Sequence, residues 1–212
     1  MTRVFQRSPV ILASKSPRRR TLLEAAGINV TVSPSRIREK DFLLLTPEAY
    51  AQTLAEAKAR DVAKNNPDAW VIGADSIVVI EGRILGKPAT MNSARDMIRR
   101  LSGETHRVLT GYAIACQHRD HFFTDVVCTE VTFKPLTDEE VEWYIHTKEP
   151  YDKAGGYAIQ GLGAFMVRVI AGSYTNVVGL PLCEVLDHLY KHHVISRAIA
   201  MEAPARAGNE PS

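Results

Sequence analysis

Residues 10–27 read VILASKSPRRRTLLEAAG and set three arginines at the start of a predicted helix. The apolar run Val10–Ala13 is typical of a buried strand, and apolar residues then recur at helical spacing. Ser16 is the predicted N-cap and Pro17 the first helical residue, because serine and proline are favoured at those positions. The stretch therefore predicts a strand, a serine-rich turn and a helix N-terminus in succession.

The arginines Arg18–Arg20 are unfavourably placed unless an anion lies beside them. A helix N-terminus already carries partial positive charge from its N–H groups, so cations in its first turn are repelled. The hydroxyls of Ser14 and Ser16, the backbone donors and the guanidinium groups are together suited to cradle a phosphate. We interpret this turn as a phosphate site; the alternative is a solvated basic cap with incidental serines.

The composition excludes several classes of protein. A chain of 212 residues that is 45% hydrophobic can bury one core, so we expect a single domain over residues 1–199 and a disordered tail over 200–212. The net charge of +2 does not indicate a nucleic-acid partner. Three widely spaced cysteines argue against a disulfide framework and for a reducing compartment. Because the sequence lacks an apolar run long enough to span a bilayer, we expect a cytoplasmic protein with no membrane partner.

Strand and helix signals alternate along the chain, which predicts an α/β fold with a mixed sheet. The run Trp70–Ile80, the turn Glu81–Arg83 and the segment Ile84–Gly86 predict a hairpin. Further strands are predicted at 30–32, 106–116, 122–133 and 165–169. Helices are predicted at 46–64, from Asn92 or Ser93 to Leu101, at 137–145 and at 181–193.

Asp75 interrupts an apolar run that should lie in the middle of the sheet. A carboxylate there is costly unless it binds a cation or meets a cationic side chain. A hairpin turn at 81–83 returns Lys87 to within a residue or two of Ser76, where it can meet Asp75 at the edge of a cleft. A purely structural ion pair is the alternative.

Residues 152–163 are polar at both ends and glycine-rich between them. Such a segment brings backbone close to a ligand and presents Gln160 as an amide that both donates and accepts. It lacks the third glycine and the strand–turn–helix setting of a dinucleotide fingerprint. A mobile surface loop is the alternative.

His188 and His192 lie four residues apart on a predicted helix. Leu189 stands where a metalloprotease motif has glutamate, and the cysteines offer no zinc spacing. We therefore expect these histidines on a solvated face.

Over about residues 9–192 the sequence resembles the Maf family, whose motifs occur here in colinear order. They are LASKSPRR at 12–19, GADS at 73–76, GKP at 86–88, SG at 102–103 with His106 and TG at 110–111, DKAG at 152–155, IQG at 159–161 and NVVGLP at 176–181. Members are cytoplasmic, metal-dependent nucleoside triphosphate pyrophosphatases. The resemblance implies an elongated, mixed and twisted sheet flanked by helices with a deep central cleft, similar to inosine triphosphate pyrophosphatases.

The resemblance also implies roles for individual residues. Asp75 is expected to accept a proton from the attacking water, with Lys87 and Glu39 as further catalytic residues. Glu39, with Asp75, is expected to hold a divalent cation, Mg²⁺ or Mn²⁺. The residues expected to bind and neutralise the triphosphate are Ser14, Arg19, Lys58 and Lys87.

Three positions bear on base preference within the family. Arg18 and Gln160 are similar to the dTTP/UTP type rather than the 7-methyl-GTP type, and Ser76 keeps the hydroxyl of the threonine usual there. The implied function is hydrolysis of dTTP, UTP and modified pyrimidine nucleotides as a house-cleaning activity. The alternative is a nucleotide-binding regulator of cell division with incidental hydrolysis, and the homodimer common in the family is left open.

Overall fold

A computed structural model describes residues 3–37 and 46–198. Glu39 and the tail 200–212 therefore lie outside the described residues. The strands are β1 (Arg3–Gln6), β2 (Val10–Leu12), β3 (Val30–Val32), β4 (Trp70–Ile80), β5 (Arg83–Leu85), β6 (Thr105–Cys116), β7 (His121–Phe133), β8 (Val167–Ala171) and β9 (Ile195–Ala198). The α-helices are α1 (Pro17–Ala25), α2 (Pro47–Ala63), α3 (Met91–Leu101), α4 (Asp138–Ile145), α5 (Tyr174–Val178) and α6 (Leu182–Lys191).

The main sheet has seven strands, in the order β3-β2-β4-β6-β7-β8, with β5 also paired to β4. Strands β3, β2 and β4 run parallel, whereas β5, β6, β7 and β8 join by antiparallel pairing. The predicted α/β fold with a mixed sheet and flanking helices is confirmed. Strand β4 is central, so Asp75 does lie in the middle of the sheet.

Helices cover both faces of the sheet. On one face α2 packs over β4 and β6, with alanine and leucine side chains such as Ala55 and Leu54 fully buried. On the opposite face, α1 and α6 cover the end of β4 near Trp70, while α3 and α4 cover the end near Ile80. The alternation of side chains along β4 therefore sends Asp75 toward α2 and Ser76 toward the other layer.

Several predicted boundaries are wrong by a few residues. Helix α3 is capped by Thr90, whose hydroxyl accepts from the backbone N–H of Ser93 in a capping box, rather than by Asn92 or Ser93. Residues Leu162–Met166 form a 3₁₀ helix, so β8 begins at Val167 and not at residue 165. Ser16 has the extended backbone of an N-cap, as predicted, but its side chain makes no capping hydrogen bond within the described structure.

Strands β1 and β9 and helix α5 were not predicted from the sequence. Strands β1 and β9 form a separate two-stranded sheet that ties the two ends of the described chain together. None of the described helices is long and apolar enough to cross a membrane.

Candidate active site

A gap in one edge of β4 creates the site. The first residues of β4 pair with β2 as far as Ile72, and its last residues pair with β5 from Val78 onward. Residues 73–77 thus face neither strand on that edge, and β2 leads there directly into the turn before α1. The chain continues from β2 to β3 on one side and to β4 on the other side. A crevice suited to ligands forms where neighbouring parallel strands connect to opposite sides in this way.

Arg19 closes part of this gap from the first turn of α1. Its side chain is buried, and its guanidinium donates to the carbonyl oxygens of Ala74 (2.9 Å) and Gly179 (2.6 Å) and to the hydroxyls of Ser14 (2.9 Å) and Ser76 (3.0 Å). The Ala74 carbonyl belongs to the unpaired edge of β4. Arg19 therefore positions the serine-rich turn and Ser76 through protein acceptors, besides adding positive charge.

Asp75 forms an ion pair with Lys58 of α2. The Lys58 Nζ to Asp75 Oδ1 distance is 2.6 Å, and both side chains are about nine-tenths buried. Two glycines permit this contact, since a Cβ on Gly73 would lie 2.3 Å from the Ala55 carbonyl oxygen and one on Gly111 would lie 2.1 Å from that of Ala51. The helix backbone can thus sit directly on the sheet and deliver Lys58 to Asp75.

Lys87 returns to the site on the predicted hairpin. The β4–β5 register pairs Val78 with Leu85, and continuing it by two residues places Lys87 opposite Ser76. Lys87 is exposed and lines the same cleft as Asp75. Asp75 and Lys87 thus line one cleft, and the ion pair that Asp75 forms is with Lys58.

The cleft has a volume of about 780 Å³ and a strongly cationic lining. Among the described residues that line it, Lys15, Arg18, Arg19, Lys58 and Lys87 are basic, whereas Asp75 and Asp152 are acidic. A cleft lined mainly by positive charge attracts polyanions and raises their local concentration. The excess of positive charge suits a ligand with several negative charges.

A smaller recess of about 60 Å³ opens from the cleft on the Ser76 side of β4. Its walls are mostly apolar, with Val78, Val108 and Tyr157 among them, and its polar lining includes Arg18, Ser76 and Gln160. The Gln160 side chain lies at the exposed rim and donates to the Tyr174 hydroxyl at 3.1 Å. Arg18, Ser76 and Gln160, which were predicted to determine base preference, thus all line one recess.

Sequence reasoning missed the residues that hold Ser76. Its hydroxyl lies 2.8 Å from that of Thr110, which is fully buried and bonds to the Asn176 carbonyl oxygen at 3.2 Å. Asn176, also buried, donates to the carbonyl oxygens of Val108 and Val127. Hydrogen bonds between buried polar side chains restrict their rotamers. The available signal was Thr110, a polar residue within the largely apolar strand β6.

Of the two described carboxylates that line the cleft, Asp75 is the buried one, and it supplies oxygen ligands of the kind that Mg²⁺ and Mn²⁺ prefer. Protein-bound Mg²⁺ commonly takes one or two carboxylates and completes its shell with water and phosphate oxygens. A carboxylate that lines a cationic cleft large enough for a triphosphate fits this requirement.

Comparison with known proteins gives a consistent result. The model of the family described as "Maf-like protein" matches residues 9–192. The dTTP/UTP pyrophosphatase of Syntrophus aciditrophicus is 49% identical over 180 residues, covering 85% of this chain and 88% of the relative. Those of Halalkalibacterium halodurans and Geotalea uraniireducens are 50% and 52% identical, covering 89% and 86% of this chain and 98% and 94% of the relatives.

A HAM1 protein from Coxiella burnetii is a distant structural match, with a TM-score of 0.38 and 17% identity over 59% of this chain and 73% of that chain. The family model spans the strand–turn–helix, the hairpin and the glycine-rich segment that build the cleft, and these relatives are identical at about half of the aligned positions. The chain belongs to the Maf family.

Proposed function

We propose that this protein hydrolyses nucleoside triphosphates, dTTP and UTP foremost, between the α and β phosphates to yield the monophosphate and pyrophosphate. The observation that carries the proposal is Asp75, a buried carboxylate on the floor of a cleft lined mainly by basic side chains. The names of the relatives, dTTP/UTP pyrophosphatases, support the same activity.

In the proposed reaction Asp75 accepts a proton from water as the water oxygen forms a bond to the α phosphorus. The bond from that phosphorus to the oxygen bridging to the β phosphate breaks, and pyrophosphate leaves. Lys58 lies 2.6 Å from Asp75 and holds the orientation of the carboxylate, and both residues line the cleft. A general base must lie within hydrogen-bond reach of the proton that it takes, which is why this orientation matters.

The basic residues of the cleft offset the charge that gathers on the departing pyrophosphate. Fixed positive charges aimed at developing negative charge lower the barrier without reorganising during the reaction. Lys87 and Ser14 line the cleft and offer donors to phosphate oxygens. Arg19 adds positive charge while its hydrogen bonds hold Ser14 and Ser76 in place.

A divalent cation, Mg²⁺ or Mn²⁺, is part of the proposal. Asp75, with Glu39 as the second expected carboxylate, would hold it together with phosphate oxygens. When bound, the cation neutralises triphosphate charge and polarises the phosphoryl group.

Arg18, Ser76 and Gln160 are proposed to read the base in the smaller recess. Uracil and thymine present a carbonyl, an N3–H and a second carbonyl, and these three groups pair with a donor, an acceptor and a donor of the protein. An amide, a hydroxyl and a guanidinium can supply that set. In the cell the enzyme would act in the cytoplasm as a house-cleaning activity on normal and modified pyrimidine nucleotides.

The second candidate, a nucleotide-binding regulator of cell division, is not favoured. Binding of a nucleotide needs cations but no buried carboxylate, whereas Asp75 is held in the middle of the sheet at the cost of desolvation.

The proposal is tested by incubating the purified protein with dTTP or UTP, with and without Mg²⁺ or Mn²⁺, in ¹⁸O-enriched water. We expect pyrophosphate release in equal amount to the monophosphate, dependent on the cation, with ¹⁸O in the monophosphate. Release of orthophosphate, or label found in pyrophosphate, would contradict attack at the α phosphorus.

A further inference from the structure

Three histidines meet at the end of the sheet that is remote from the cleft. His121 is the first residue of β7, His188 lies in the last turn of α6, and His192 is the C-cap residue of that helix. One ring nitrogen of each can be chosen such that all three lie within 4.8 Å of one another. The topology thus adds a third imidazole to the pair that the sequence placed four residues apart.

These side chains do not form the solvated face that the sequence analysis expected. All three are half-buried, and the rings of His121 and His192 pack on Trp70 with centroid distances of 4.9 and 5.5 Å. His188 packs on Phe123 at 4.5 Å. The expectation was wrong because it considered α6 alone, whereas β7 and the start of β4 cover that side of the helix.

The spacing of the ring nitrogens is close to that of metal ligands. His121 Nε2 lies 2.8 Å from His188 Nε2, and the ring centroids of His192 lie 4.3 and 4.6 Å from those of His121 and His188. Zinc–nitrogen bonds of 2.0–2.1 Å in a tetrahedral site place neighbouring ligand nitrogens about 3.3 Å apart. Metal binding would therefore require side-chain rotations that open the closest pair and draw His192 inward.

The cluster is separate from the proposed hydrolytic site. Trp70, on which His121 and His192 pack, precedes Asp75 by five residues on the same extended strand, which corresponds to about 17 Å. The ligand chemistry also differs, since imidazole nitrogens suit zinc, copper and nickel, whereas Mg²⁺ prefers oxygen ligands.

We propose that His121, His188 and His192 form a binding site for a divalent transition metal ion of the zinc class, with a fourth position open to water. In the 2.8 Å contact one neutral ring donates its N–H and the other accepts. On metal binding the donating ring changes tautomer, so that its proton resides on the other ring nitrogen. Each of the three rings then offers a nitrogen lone pair to the ion. The bound ion would link the start of β7 to the end of α6.

The test uses the full chain without a polyhistidine tag, stripped of metal and kept in excess Mg²⁺, and titrates it with Zn²⁺ by calorimetry. We expect one equivalent to bind and to raise Tm, because an ion that binds only the folded state stabilises it. The single variants H121N, H188N and H192N should each weaken Zn²⁺ affinity at least about tenfold. H193N, which changes the exposed histidine adjacent to His192, is the matched control and should keep the affinity.

Retained affinity in any of the three single variants would overturn the site, as would absence of Zn²⁺ binding in the unmodified chain. A second readout avoids variants that fold poorly. Zn²⁺ should protect His121, His188 and His192 of the unmodified chain from diethyl pyrocarbonate, mapped by mass spectrometry, and leave exposed His146 reactive. Equal labelling with and without Zn²⁺ would show that the cluster serves packing only.

Discussion

Lys58 of α2 and Asp75 of β4 meet at 2.6 Å across the interface between helix and sheet, with both side chains largely buried. The contact depends on Gly73 and Gly111, which let the α2 backbone rest on the strands. Neither charge could be buried alone at moderate cost. Packing of α2 and the chemistry of the cleft are therefore coupled through one ion pair.

That coupling predicts a specific stability pattern. Replacing Lys58 with Met leaves Asp75 buried without this cation and should lower the free energy of unfolding by about 3 kcal/mol. The double variant Lys58→Met/Asp75→Asn should recover part of that loss, because the neutral amide no longer needs a cation. Urea unfolding of the two single variants and the double variant measures the coupling, and strictly additive losses would contradict it.

The two neighbouring arginines should differ in effect. Arg19→Ala leaves the carbonyl oxygens of Ala74 and Gly179 without this donor, so it should destabilise the protein and lower turnover on every nucleotide by a similar factor. Arg18→Ala should instead change the ranking of bases, since Arg18 lines the smaller recess. Profiles of kcat/KM on dTTP, UTP, CTP and GTP separate the two effects. Parallel losses in both variants would leave the turn as a phosphate clamp only.

Base selection should favour uracil and thymine over cytosine. Cytosine reverses the donor and acceptor sense at N3 and at the exocyclic group, and a site that leaves buried polar groups unpaired rejects such a base strongly. We expect high kcat/KM for dTTP and UTP and low kcat/KM for CTP, with Gln160→Ala losing most of the difference. Ser76→Thr retains the hydroxyl that contacts Thr110, so it should change the ratio of kcat/KM for UTP to that for CTP only little. Equal values for CTP and UTP in the unmodified protein would refute this mode of selection.

Buried His106 should make the fold sensitive to acid. Burial lowers the pKa of His106 from 6.5 to about 4; its Nε2 contacts the Tyr157 hydroxyl at 2.7 Å, and its Nδ1 has no hydrogen-bond partner among the described residues. The unfolded chain takes up the proton near pH 6.5 and the folded chain only near pH 4. The free energy of unfolding should therefore fall as the pH drops through this window, by about 3 kcal/mol from His106.

Denaturant unfolding between pH 7.5 and 4.5 checks this slope. Burial and neighbouring histidines also lower the pKa of His188 to about 4, so His106→Asn should flatten the slope in part rather than abolish it. His146→Asn, at an exposed position, is the control and should leave the slope unchanged. An identical slope in His106→Asn and the unmodified protein would contradict the assignment.

The sequence predicted the elements whose signals are local. The strand Val10–Leu12, the proline-initiated α1 and the hairpin after β4 follow from apolar periodicity and turn residues within a few positions. Strand β1 was missed because four residues carry little pattern and their partner β9 lies at the other end of the described chain.

Contacts between distant elements could not be predicted in the same way. The pairing of Lys58 with Asp75 depends on close approach of α2, and the addition of His121 to the histidine pair depends on the register of β7. Thr110 was quoted only as part of a motif, since its contact with Ser76 arises from the β4–β6 pairing. Glu39 lies outside the described residues, so its role stays a prediction.

We propose that Asp75 is the general base of a nucleoside triphosphate pyrophosphatase, and the Asp75→Asn variant is the decisive test of that role. Pyrophosphate release from dTTP should fall about 100-fold or more, since asparagine keeps the shape but takes no proton, while circular dichroism and nucleotide binding stay close to those of the unmodified protein. Asp125→Asn, at an exposed position on β7, is the control and should keep full turnover. An Asp75→Asn protein that retains more than about a tenth of the turnover would contradict the account.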